Sequence, residues 1–327
     1  MSIRPARSVL WAVTAVVLLW AANLFLGSVR IPFAEVWAVL TGGEASQPSW
    51  GYIVLESRLP QAVVALLSGA ALAVSGLMLQ TVFSNPLAGP SVLGIDSGAS
   101  LGVALVMLSL GGTVGGGLAL TGYLAVVAGA FAGAASILGI IIFFSTLVRS
   151  NVMLLIIGIM VGYLTSSLIS LLNFFATDEG IRSYVLLGMG DFSSVSLGQL
   201  PVFCSMLGIG LLLAALLVKP LNALLLGERY AENLGVRVKR VRLLLLVSTG
   251  LLTAVVTAFC GPISFIGLAV PHLARLMTGS AVALACNLVS TLPGGSGVLP
   301  LSAITPVVGA PVIIYVIVNQ KRIQYFN

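Results

Sequence analysis

The sequence predicts an all-α polytopic membrane protein with about ten transmembrane helices, forming a single domain over residues 1–327. Three observations carry that expectation. Of the 327 residues, 59% are hydrophobic and only 7% are charged, whereas soluble domains carry about 25% charged residues. Apolar runs long enough to cross a bilayer follow one another, separated by short polar breaks. The cations are also unevenly shared. With the N-terminus in the cytoplasm, Arg4, Arg7, Arg149, Lys219, Arg229, Arg237, Lys239, Arg240, Arg242, Arg275, Lys321 and Arg322 face inward, while Arg30, Arg58 and Arg182 face outward. That is a strong positive-inside bias, and it places both termini in the cytoplasm.

The elements follow in order. Arg4 and Arg7 precede an apolar run over 9–27, read as an uncleaved first helix because many spans follow it. A polar stretch over 28–59 contains a short interfacial helix at 33–40, and Pro60 opens a second span to about 81. The breaker cluster SNPLAGP (84–90) leads to a third span over 91–110. A glycine-rich turn at 111–117 precedes the fourth span, 118–147, and a minimal loop at 149–151 precedes the fifth, 152–175. A second polar excursion covers 176–199. The sixth span ends near 218, the seventh covers 241–259, and the eighth, 263–277, follows the breaker Gly261–Pro262. The last clear span is 303–318.

The region after Arg275 fits poorly. A helix over 280–292 would reach only about 20 Å against roughly 30 Å of hydrocarbon. Either the ninth helix is short and sheltered by protein, or the chain lacks residues near Gly279–Ser280; the second is the explanation adopted. GPSVLGI at 89–95 echoes GPISFIGL at 261–268. On the charge-derived topology the two lie on opposite sides, as an inverted repeat with halves at about 60–175 and 240–319 requires.

The longest strongly polar segment, 219–242, holds six of the fifteen Lys and Arg residues. Within it Leu221, Leu224, Leu225 and Leu234 recur at helical spacing, so 221–234 is predicted as one amphipathic helix, stopped by Gly235. It is either a plain cytoplasmic loop or a docking helix for another protein.

Several activities lack the residues they need. The basic residues are loop anchors without interleaved aromatics, so no nucleic-acid partner is expected. Cys204, Cys260 and Cys286 sit in apolar segments without metal-ligand spacing, so no metal site is expected. Within the spans only Asp96, His272 and Arg275 are ionisable, all near helix ends, which argues against an ion-coupled secondary transporter. No catalytic constellation is visible, so no enzyme activity is expected.

Five stretches in order resemble the FecCD/BtuC-like permease subunits of type II ABC importers, which take up iron–siderophore complexes, haem and vitamin B12. They are SRLPQAVVALLSGAALAVSGLMLQ (57–80), NPLAGPSVLGIDSGASLG (85–102), LGERYAENLGVRVKRVR (226–242), GPISFIGLAVPHLARL (261–276) and VLPLSAITPVVGAPVIIYVI (298–317). The resemblance implies the type II importer permease fold, ten helices and an inverted repeat. It implies a homodimer in the bacterial inner membrane, two ATP-binding cassette subunits inside and a substrate-binding protein outside. Ferric siderophore is the first choice of cargo, with haem or vitamin B12 as alternatives. The chain contains no GxxxxGK[ST] loop, so ATP and Mg belong to the partner ATPase and this chain needs no cofactor.

The resemblance also assigns residues. The coupling helix that docks the ATPase would carry Leu221, Leu224, Leu225, Gly227, Glu228, Arg229, Glu232, Leu234 and Gly235. Asn85 and Leu87 would form the cytoplasmic gate. Gly158, Gly162, Thr165, Ser166, Ser170 and Asn173 would line the pathway. Arg58 would dock the binding protein, although Gln61 stands where the family has a second arginine. His272 is expected to make a structural hydrogen bond rather than to ligate metal.

Overall fold

Helix α4 (Leu59–Val82) runs through the middle of the molecule and is buried along most of its length. The computed structural model describes residues 5–109, 120–148, 151–268, 275–291 and 299–324. Among these the chain is helical, in the order α1 (Pro5–Phe25), α2 (Phe33–Leu40), α3 (Pro48–Tyr52), a π-helical stretch at Ile53–Arg58, then α4. There follow α5 (Ile95–Ser109), α6 (Leu120–Leu147), α7 (Asn151–Phe175), α8 (Asp178–Gly188), α9 (Leu200–Leu216), α10 (Val218–Leu225), α11 (Glu228–Asn233), α12 (Val238–Cys260), α13 (Arg275–Thr291) and α14 (Leu301–Gln324).

Four helical runs are long and apolar enough to cross a membrane: Pro48–Val82, Leu124–Ser145, Met153–Phe175 and Val238–Cys260. A fifth counts if α9 and α10, bent by 50°, make one broken span. Four shorter apolar helices accompany them: Val9–Phe25, Ile95–Leu108, Thr278–Thr291 and Leu301–Ile314. The second span is longer than its apolar run suggests, because α3 and the π stretch extend α4 outward to Pro48. The third starts at Ile95 rather than at 91, because Gly94 takes φ +74° and the residues before it form a turn.

Glycine sets the closest contacts. Gly98 and Gly102 on α5 face Gly129 and Gly133 on α6. A Cβ on Gly102 would lie 1.9 Å from the Gly129 carbonyl oxygen, and one on Gly133 would lie 2.0 Å from that of Gly98. The small-xxx-small pattern therefore stands on both helices and lets the backbones touch. Helix α4 packs against α12 and α13, and Ser68 meets Cys260 across the first of these contacts at 3.8 Å.

The expected helix at 280–292 is corrected. Helix α13 begins at Arg275, has 17 residues, and packs against α4 and α1. Its Gly279 abuts Gly69. At about 26 Å it has the geometry of the short, protein-sheltered alternative. The glycine-rich turn at 111–117, the side chain of Arg275, and His272 lie outside the described residues.

Candidate docking surfaces and transport pathway

The polar segment that follows α9 is two helices, not one. Gly227 takes φ +106°, a conformation that L side chains rarely adopt, and it separates α10 from α11. Gly235, at φ +82°, ends α11 as expected. The break sorts the leucines. Leu221 and Leu224 turn into the core, whereas Leu225, Leu226, Tyr230 and Leu234 are half or more exposed. The expected single apolar face over 221–234 is thus corrected: only its first two leucines face the protein. Leu226 and Tyr230 join the exposed set and were not singled out from the sequence, where Leu226 reads as one more leucine of a run. Glu228 accepts a hydrogen bond from Arg242 of α12, while Arg229 and Glu232 are exposed on α11. A patch of apolar side chains ringed by charges on a polar excursion has the makeup of a protein-docking surface.

The loop after α4 is a tight turn. Asn85 Oδ1 accepts from the Leu87 backbone N–H at 2.9 Å, Ser84 takes φ +46°, and Leu87 is left exposed. Asn85 therefore shapes the loop, and Leu87 is the side chain it presents. Gly89 packs under the Leu268 side chain, whose Cδ2 a Cβ added there would meet at 2.9 Å.

Helix α7 is the least buried of the long helices. Its small residues do two different things. Gly158 is buried against Leu93, and Gly162 lies beside Gly94 and Ser97, so both let α7 approach the start of α5. Thr165 is buried and donates to the Val161 carbonyl. Gly158 and Thr165 are therefore buried within the protein rather than presented on the open face of α7. Ser166 and Ser170 are exposed and donate to the carbonyls one turn back, and Asn173 is half-buried with Oδ1 unpartnered.

Arg58 is almost fully buried. Its guanidinium donates to the carbonyls of Leu24, Phe25 and Val29, closing the end of α1 against α4. Three of its five N–H groups are engaged in this way, so the structure gives it a role in holding α1 that the sequence did not reveal. Gln61, one turn on, joins a buried amide chain: it donates to Asn287 Oδ1, and Asn287 Nδ2 donates to Asn23 Oδ1. Asp96 sits in the first turn of α5, where its carboxylate accepts from Ser91 Oγ at 2.7 Å. Cys260 and Cys286 are buried free thiols, and Cys204 is a half-buried one.

These helices and surfaces can be set beside known proteins. Residues 15–319 match the FecCD transport family. The chain belongs to that family. It is an all-helical ABC transporter permease, of a family of transport subunits. It is 33% identical over 302 residues to the vitamin B12 import system permease protein BtuC of Klebsiella pneumoniae, covering 88% of each chain. It is 32% identical over 331 residues to the BtuC protein of Salmonella typhimurium, covering 97% of each. A solved chain described as a metal-chelate type ABC transporter in an inward-facing conformation superposes with TM-score 0.77 at 26% identity, covering 95% of this chain and 99% of that one.

Proposed function

We propose that this FecCD-family permease is the membrane-spanning subunit through which an ATP-driven importer moves a metal chelate, a ferric siderophore first, into the bacterial cytoplasm. The observation that carries the proposal is the α10–α11 pair. It puts Leu225, Leu226, Tyr230 and Leu234 in the open beside Arg229 and Glu232, in a chain with no phosphate-binding loop of its own. An ATPase pair gripping this knob supplies the drive, and ATP and Mg sit there.

Two copies of the chain enclose the path. The exposed face of α7, with Tyr163, Leu164, Phe174 and Phe175 beside Ser166 and Ser170, supports that arrangement. The long, bent and short apolar helices supply nine of about ten crossings, with both termini inside. Ser166, Ser170, Asn173 and the edge at Gly162 line the path. Leu87 closes its inner mouth by exposing apolar surface to water. Closure of the ATPases pushes the two knobs together, the halves rock, and the cargo passes from an external binding protein to the cytoplasm. A path lined by hydroxyls and apolar groups holds cargo weakly, and weak holding permits release.

A second cargo, vitamin B12, is favoured by the names of the relatives at 32–33% identity. Proteoliposomes containing the permease, its ATPase and its binding protein separate the two. ATP-dependent accumulation of a labelled ferric siderophore is the expected result. Uptake of labelled cobalamin alone would transfer the assignment, and uptake without nucleotide would overturn it.

A further inference from the structure

A crevice between α6 and α12 has two adjoining parts. One part, about 270 Å³, is walled by apolar residues including Phe131, Leu138 and Val247, together with Gly139. The other, about 330 Å³, is walled by Ile142, Leu243 and Leu246 together with Lys239, Arg242 and Ser145. Ile142 lines both, so an apolar trough opens into a cationic mouth at one end of the two helices.

The charge at that mouth is poorly balanced. Arg237, Lys239, Arg240 and Arg242 crowd the N-terminal end of α12. The N-terminal end of a helix carries partial positive charge, so cations there are disfavoured. The ion pair to Glu228 offsets only Arg242. Part of the trough is lined by a leucine open to the surroundings, Leu243, which is 45% exposed. A cationic rim above a hydrocarbon-lined trough matches a molecule with an anionic head and an apolar tail.

We propose that the α6–α12 crevice binds one anionic phospholipid, with its phosphate at Lys239 and Arg242 and an acyl chain laid along Leu243, Leu246 and Ile142 past Gly139. The proposed function enters only in naming the leaflet, which is the cytoplasmic one. Arg242 is then shared between the lipid phosphate and Glu228 of α11, so the bound lipid braces the docking pair from the membrane side.

The test uses the purified full-length chain, stripped of lipid and titrated with dioleoylphosphatidylglycerol or dioleoylphosphatidylcholine, with bound lipid read by native mass spectrometry. One phosphatidylglycerol should be retained about tenfold more tightly than phosphatidylcholine, and Lys239→Gln with Arg242→Gln should abolish that preference. Gly139→Leu should weaken retention to a similar degree without changing charge. No atom lies within 4 Å of a Cβ built at Gly139, so a side chain there has open space to enter. A melting temperature for Gly139→Leu equal to that of the parent checks this.

Equal retention of the two lipids would overturn the proposal. So would full retention in Gly139→Leu together with displacement by inorganic phosphate, which would mark a free-anion site. Loss of the dimer in Gly139→Leu would assign the crevice to a second copy and also overturn it. A parent chain that shows no phosphatidylglycerol preference while ATP-driven uptake persists sinks this inference alone, and a preference without ATP-driven uptake sinks only the transport assignment.

Discussion

Replacing Arg58 by alanine tests whether this residue holds the fold or receives a partner. The side chain donates to the carbonyls of Leu24, Phe25 and Val29, and it is only 5% exposed. Gly27 lies against the guanidinium, which a Cβ added at this glycine would meet at 3.1 Å, so the pocket is fitted to this one group. Hydrogen bonds from a charged donor contribute about 1.5–3 kcal/mol each. Three of them, discounted because they share one group and the end of α1 is partly open, give a net loss of about 3–5 kcal/mol. At roughly 2 °C per kcal/mol for a chain of this size, the melting temperature should fall by about 6–10 °C. Arg58→Lys should recover only part of the loss, because an ammonium lacks the planar fork that reaches several carbonyls. The assay is thermal unfolding of the purified chain, paired with the affinity of its binding protein. An unchanged melting temperature with lost binding-protein affinity would refute the reasoning and return Arg58 to the outer docking surface.

Three further outcomes are expected. Gly102→Val should separate α5 from α6, because its Cβ would sit 1.9 Å from the Gly129 carbonyl oxygen, and overpacking of this kind costs about 1–3 kcal/mol or more; cysteine cross-linking between the two helices would report it. Glu228→Lys with Glu232→Lys should leave the permease folded, since the one exposed ion pair lost contributes at most about 1 kcal/mol, but should uncouple ATP turnover from uptake in proteoliposomes; unchanged transport would remove the docking role from both residues. Ser46 donates to Glu35 through its hydroxyl and backbone N–H, and these bonds hold the Glu35 carboxyl below its ordinary value. The resulting stability of this loop is present above the ordinary carboxylate pKa and is lost as pH falls through the lowered value, so the protection factor of the Ser46 amide should fall only below the ordinary carboxylate range.

The helices were legible because lipid demands them: an apolar run of bilayer length must satisfy its own backbone, so α6, α7 and α12 fall within a few residues of their expected bounds. The family was legible from motif order. Lateral relations were harder to see. Helical spacing put Leu221, Leu224, Leu225 and Leu234 on one face, but spacing does not show that Gly227 would leave the right-handed region and turn α11 away from α10. The glycines of α7 looked alike, yet a neighbour decides each one: Leu93 takes Gly158 into the packing, while Ser166 and Ser170 keep an open face. Arg58 carried a motif whose usual meaning is external, whereas its partners lie some 30 residues upstream, beyond the reach of any local pattern.

Helix α4 and its outward extension form one uninterrupted rod of 35 residues from Pro48 to Val82. Such a rod is longer than the hydrocarbon is thick, and its C-terminal end meets the Asn85–Leu87 turn. A stiff beam of this kind tilts as a unit. The place along it where the hydrogen-bond register changes is the π stretch at Ile53–Arg58, so any bending of the rod is concentrated in those six residues.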